Sequence, residues 1–244
     1  MLVKSKVKYI QSLGQKKFRD REKRFIAEGP KLVYDLLLEK KTSVSEVFAL
    51  PEWMEANQMA FADVDLHEIS AIDLEKISQL KTPNQVLAVV NQFENSENIS
   101  ARNKITLVLD NLRDPGNLGT IIRIADWFGV SQIICSHNTT ELYNPKVVQA
   151  TMGSIARVEV HYLDIEKWLA KQKDVPQFAA MLEGDDVSQM KKLKEGIIII
   201  GNEANGVDTS NLPAAIKKIT IPQYGKAESL NAAVATGIIL SHLV

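Results

Sequence analysis

The chain has 244 residues, 29 basic and 30 acidic side chains and a formal net charge of −1, with 45% of residues hydrophobic. A globular chain of this length buries about 70–75% of its unfolded surface, so it can build a full core. One cysteine excludes a disulfide framework and any cysteine-based zinc site, and no apolar run reaches the ~18–20 residues of a membrane span.

The first 24 residues carry nine basic side chains against Asp20 and Glu22, leaving 20 basic and 28 acidic residues for the rest. A basic segment on an acidic body reads as a patch for a polyanion such as a nucleic acid, with Lys16, Lys17, Arg19, Arg21 and Arg24 as candidate contacts; the alternative is a solvated helix face. The N-terminal sequence MLVKSKVKYIQ lacks the apolar core of a secretory signal, so the expected location is cytoplasmic.

Strand and helix patterns alternate beyond the patch. Residues 24–28 read as a strand ending at Gly29, and Pro30 suits the first position of a helix carrying Leu32, Val33, Leu36 and Leu37. Strands are expected at 44–50 and 86–91, and helices at 51–58 and 71–80. Residues 94–104 (ENSENISARNK) are polar and read as a linker between a first domain, 1–93, and a second, 105–244. In the second domain, apolar runs at 105–110, 131–136, 177–182, 196–201 and 218–222 are separated by helical segments. That pattern predicts an α/β fold with a largely parallel sheet covered on both faces.

In such sheets ligands bind beyond the carboxyl ends of the strands. Three strand exits are Gly/Asn-rich: residues 110–119, 201–207 and 222–231. Turns need these residue types anyway, but three such loops at one sheet edge suggest a shared site. The first loop feeds a helix whose apolar stripe is Leu118, Ile121, Ile122, Ala125 and Phe128. Arg123 lies off that stripe, either as an anion ligand or as a surface residue paired with Asp114 or Asp126. The third loop leads into a helix of small residues, with Ser229 as the expected N-cap and Asn231 in need of a partner. No two glycines are separated by one residue, no phosphate loop is present, and His67, His137, His161 and His242 lack metal-ligand spacing. Cys135, inside an apolar strand, reads as core. Covalent and metal catalysis are disfavoured.

Asn117-Leu-Gly119 with Arg123, Ile200-Gly-Asn-Glu203 with Gly206, and Ile221-Pro-Gln-Tyr-Gly225 with Ser229-Leu-Asn231-Ala-Ala-Val-Ala235 resemble the three motifs of the SpoU family of RNA ribose methyltransferases, within the SPOUT superfamily. Asn144-Pro-Lys-Val147 and Ala150-Thr-Met-Gly-Ser154 resemble the family's connecting region. Glu28-Gly-Pro-Lys-Leu-Val33 and its surroundings resemble, more loosely, an L30e-like substrate-binding domain. The resemblance implies a C-terminal trefoil knot, S-adenosyl-L-methionine as methyl donor, a ribose 2′-hydroxyl of RNA as acceptor (rRNA before tRNA), and a homodimer that completes the active site. It places cofactor contacts at Gly201, Ile221 and Leu230, with Ser229 and Asn231 close by. Arg123, Asn117, Glu203, Ser229 and Asn231 become the catalytic group, and no metal is expected. Gln223 and Ala233 depart from the commonest pattern. The rival readings are a non-catalytic RNA-binding module that keeps the fold, and a base methyltransferase.

Overall fold

The computed structural model describes residues 1–57, 64–94, 96, 99–202, 206–207 and 215–244. The described chain forms two compact units, Met1–Glu94 with Leu142–Arg157, and Asn95–Glu141 with Val158–Val244.

The first unit contains α1 (Lys4–Ser12), α2 (Lys16–Glu22), β1 (Arg24–Glu28), α3 (Pro30–Glu39), β2 (Val44–Ala49), α4 (Pro51–Ala56), β3 (Asp65–Glu68), α5 (Ala71–Ile77), β4 (Val86–Asn91) and, from later in the chain, α7 (Pro145–Thr151). Its four-stranded sheet runs β1-β4-β2-β3; β4 is antiparallel to both β1 and β2, while β3 lies parallel to β2. Helix starts follow local chemistry. Gly29, at φ +100°, turns the chain so that Pro30 can open α3, and the Ser70 side chain accepts the Asp73 N–H to cap α5. Ile10, Leu13, Ile26, Phe48, Leu74, Ile77, Leu87 and Val89 form one buried cluster.

The second unit contains β5 (Ile105–Leu109), α6 (Pro115–Trp127), β6 (Gln132–Cys135), β7 (Glu159–Tyr162), α8 (Ile165–Lys171), β8 (Gln177–Asp186), β9 (Gly196–Ile200), β10 (Lys217–Thr220) and α9 (Ala232–Leu243). The six strands run β10-β8-β9-β5-β6-β7, and every pairing is parallel. Strands β5 and β9 are buried along their whole length, as a sheet covered on both faces requires. The pairing of β10 with β8 shifts register after Lys218. Gly184 of β8 lies so close there that a Cβ would come within 2.6 Å of the Lys218 carbonyl carbon.

The division into units departs from the boundaries expected from sequence. Residues 99–101 do not behave as a solvated linker: Ala101 is fully buried and the Trp168 indole donates to the Ile99 carbonyl at 2.9 Å. Residues 142–157 belong with the N-terminal residues, because Tyr143 stacks on Phe25 with ring centroids 4.7 Å apart and its hydroxyl accepts the Phe93 N–H. Arg157 also pairs with the nearly buried Asp35 at 3.1 Å. Burial raises the Tyr143 phenol to about 12, so it stays neutral. Strands β3 and β7 are additions to the expected set. Both are four-residue edge strands with polar sequences, DLHE and EVHY, that carry little apolar signal.

Candidate functional site

Parallel pairing puts the carboxyl ends of β5, β9 and β10 on one edge of the six-stranded sheet, and the loops that leave them are joined by side-chain amides. After β5, Asn111 adopts φ +54° and Leu112 is fully buried. Asp114 then caps α6 by accepting the Asn117 N–H at 2.7 Å, with Pro115 in the first turn. After β9, Asn202 and Gly206 exchange backbone hydrogen bonds of 3.1 and 2.9 Å. A Cβ on Gly201 would overlap the Gly206 carbonyl, so only glycine fits there. The Asn202 side chain donates to the Asn111 carbonyl at 3.0 Å, tying the second loop to the first.

The third loop is tied to the first at a different point. Asn231 Nδ2 donates to Asn117 Oδ1 at 2.8 Å, across 114 positions of sequence. The same Asn231 caps α9: its Oδ1 accepts the N–H groups of Ala233 and Val234 at 2.9 and 3.3 Å. This corrects the expected assignment of Ser229 as the cap, since α9 opens at Ala232. Sequence reasoning marks Gln223 only as a departure from pattern and misses its role. Its amide donates to the Gly225 and Ala227 carbonyls at 3.1 and 2.7 Å and knits the third loop together.

The structure therefore ties the first loop at two separate points, Asn117 to Asn231 and Asn111 to Asn202, the latter next to Gly201. Ser229, Leu230 and Asn231 are exposed and Ile221 is half-buried. Arg123 is exposed on α6 and has no ion pair or hydrogen bond among the described residues, so neither Asp114 nor Asp126 neutralises it there. Glu203 lies outside the described residues. Cys135 is fully buried, and desolvation pushes its thiol far above the ordinary range, as befits a core residue.

The basic segment divides. Lys16, Lys17 and Arg21 are exposed; Lys16 pairs with Asp20 at 2.7 Å, and Lys17 and Arg21 flank the Phe18 ring at 4.8 and 5.0 Å. Arg19 is a correction: it is 2% exposed and its guanidinium donates to the Leu13 carbonyl at 2.8 Å, holding the α1–α2 turn. Arg24 is half-buried and bonds Asn91 and the Tyr9 hydroxyl, both at 3.1 Å. Glu46, Asp65 and His67 gather on the first sheet, a grouping that spans two strands and is invisible to spacing along the sequence. Lys6 pairs with Glu46 there at 2.5 Å, which makes the group a salt-bridge network.

Comparison with known proteins decides the family. The model of the SpoU rRNA Methylase family matches residues 104–241, and that of the MRM3-like substrate binding domain matches residues 4–88. The chain belongs to the SpoU rRNA methylase family. The 23S rRNA (guanosine(2553)-2′-O)-methyltransferase RlmP of Bacillus subtilis is 29% identical over 245 residues, covering 98% of this chain and 95% of that protein. The mitochondrial rRNA methyltransferase 3 of Mus musculus is 24% identical over 283 residues, covering 91% and 68%. A crystal structure of an AdoMet-bound rRNA methyltransferase from Sinorhizobium meliloti superposes with a TM-score of 0.86 at 33% identity, covering 99% of this chain and 95% of the other.

Proposed function

We propose that this SpoU-family chain is an S-adenosylmethionine-dependent enzyme that methylates a ribose 2′-hydroxyl in structured RNA, with ribosomal RNA as the substrate. The observation that carries the reading is the bond between Asn231 and Asn117, which joins the third motif to the first at the edge where parallel sheets bind ligands. The loops suit the cofactor. Gly201 leaves backbone where a side chain would otherwise stand, Ile221 and Leu230 offer apolar surface, and Ser229 and Asn231 offer polar groups. Gly201, Ile221 and Leu230 would hold it, with Ser229 and Asn231 alongside. Bound there, S-adenosylmethionine supplies a methyl group on a sulfonium, an electrophile for an oxygen nucleophile.

The chain's own residues then have positioning work, which is where most of the acceleration in such a reaction lies. Arg123 binds the acceptor phosphate and hydroxyl. Its guanidinium stays charged at any physiological pH, so it orients and stabilises, and a phosphate of the RNA is the better proton acceptor. Asn117 and Asn231, fixed by one another and by the α9 cap, hold the acceptor in register. Ser229 and, from its place in the second motif, Glu203 complete this group. Lys16, Lys17 and Arg21 grip the RNA backbone.

The active unit is a homodimer with a trefoil-knotted C-terminal half, working in the cytoplasm, and the N-terminal residues form an L30e-like RNA-binding domain. Trp127, Tyr224 and Val234 support the dimer, since they are 85%, 96% and 51% exposed on α6, the third loop and α9. The knot is supported by the strand order, in which β10 joins β8 and β9 sits between β8 and β5. The test is mass spectrometry of nuclease-digested rRNA from a deletion strain, with the purified protein added back. A single missing ribose methyl restored by the protein is expected; a missing base methyl, or no change, overturns the reading.

A further inference from the structure

Two sequence motifs that the catalytic loops do not use meet in the first unit. Glu28 opens the Glu28–Val33 motif, and Lys146 and Gln149 belong to the segment that begins at Asn144, yet all three line one cavity of about 570 Å³ with Gln79, Ile26 and Leu80. That volume falls within the ~300–1,000 Å³ of small-ligand sites.

The chemistry of the lining is specific. Glu28 is 6% exposed, and each of its oxygens already accepts a single bond, Oε2 from the Ser78 hydroxyl at 2.5 Å and Oε1 from the Gln79 N–H at 2.8 Å. The carboxylate is thus held in a fixed orientation with lone pairs to spare. Burial holds it above the usual carboxylate range, a sign that it lacks a cationic partner. The side-chain amides of Gln79 and Gln149 and the Lys146 ammonium have no hydrogen-bond partner among the described residues. The exposed tips of Gln79 and Lys146 and the half-buried tip of Gln149 therefore line the same cavity as an oriented acceptor, together with apolar surface from Ile26 and Leu80.

We propose that this cavity binds an unpaired guanine base of the RNA substrate, a reading that rests on the RNA function proposed above. Guanine presents adjacent N1–H and N2–H donors on its Watson–Crick edge, which match a carboxylate; uracil presents one donor between two acceptors. The O6 and N7 acceptors suit the amide tips, the ring face suits Ile26 and Leu80, and Lys146 reaches the phosphate. The base must be unpaired, because its pairing edge is the one that is read.

The experiment uses the full-length protein, a ten-nucleotide oligouridylate, and the same oligonucleotide with one central guanosine, with binding followed by fluorescence anisotropy. Wild type is expected to bind the guanosine oligonucleotide at least fivefold tighter. Gln149→Trp, which fills the cavity, and Gln79→Leu, at an exposed position, are each expected to abolish that preference, with S-adenosylmethionine binding by calorimetry unchanged. Lys146→Ala weakens both oligonucleotides equally. Equal binding of the two oligonucleotides by wild type overturns the pocket alone, as does a preference that survives in both variants. Should Gln149→Trp lose cofactor binding through misfolding, Gln79→Leu decides. No binding of either oligonucleotide by a protein that still binds rRNA overturns the pocket alone, and no binding of rRNA either overturns the RNA function together with the pocket.

Discussion

Asn231 separates stability from chemistry, because its two side-chain atoms do different things. Oδ1 caps α9 through Ala233 and Val234, and Nδ2 reaches Asn117 in the first loop. Asn231→Ala removes both. Loss of an N-cap costs about 1 kcal/mol, and an exposed neutral hydrogen bond adds about 0.5 kcal/mol. For a chain of this length, each kcal/mol lowers the melting midpoint by about 2–4 °C, so a fall of about 3–6 °C is expected. Asn231→Asp keeps the acceptor and adds a negative charge at a helix N-terminus, which is favourable there, so its midpoint stays near wild type. The aspartate cannot donate to Asn117, and methyl transfer is expected to fall at least tenfold. Ser229→Ala should leave the stability within about 0.5 kcal/mol of wild type, because that hydroxyl caps nothing. Calorimetric melting alongside a tritiated-methyl assay measures all three. A Ser229→Ala variant that melts as low as Asn231→Ala, or an Asn231→Asp variant with full turnover, would refute the reasoning.

Arg123→Ala should abolish turnover while S-adenosylmethionine binding by calorimetry is kept, because the arginine serves the acceptor; near-wild-type methyl transfer removes it from the site. Replacing Lys17 and Arg21 by Ser should shrink the salt slope of RNA binding by about 1.4–1.8, since each cation that neutralises a phosphate adds about 0.7–0.9 to it. Arg19→Ala should leave that slope unchanged and instead destabilise the protein by about 1–3 kcal/mol, since the buried Leu13 carbonyl loses its donor. His161 is buried and desolvation lowers its pKa from 6.5, so the unfolded chain binds more protons below that pH. Stability should therefore drop as pH falls from about 6.5 towards the lower folded value and be flat above it. Urea titrations at several pH values should show a shallower acid slope in His161→Phe, and an identical slope counts against the assignment.

The strands were readable where burial on both faces left no ambiguity. Residues 105–109 and 196–200 are continuous apolar runs, and each observed strand ends within a residue of its expected place. Strands β3 and β7 were not, because each is a four-residue edge strand with a single aliphatic side chain, too short a run to stand out. The helix cap before α9 was misplaced by two residues for a related reason. Ser229 and Asn231 are both good caps, and only the observed turn at 231, with Leu230 left exposed, chooses between them. Arg19 shows the limit of charge counting. A run of nine cations says nothing about which of them the α1–α2 turn draws inward to satisfy Leu13.

The grouping of residues 142–157 with the N-terminal unit was illegible for a deeper reason. Residues 142–157 lie in the middle of the second half of the sequence, yet they pack with the N-terminal residues through Tyr143, α7 and Arg157. Linear composition cannot reveal such an exchange, because nothing local marks Tyr143 as the partner of Phe25. The consequence is functional as well as architectural. A segment singled out as part of the catalytic family's pattern lines a cavity with Glu28 from the N-terminal motif, so the two halves of the sequence do not divide cleanly into one that holds RNA and one that catalyses. The distribution of charge leads to the same conclusion. The cations best placed for RNA are exposed ones: Lys17 and Arg21 beside Phe18, with Arg21 also paired to Glu22 at 2.8 Å, Lys146 at the cavity and Arg123 on α6. They come from both units rather than from the basic N-terminus alone.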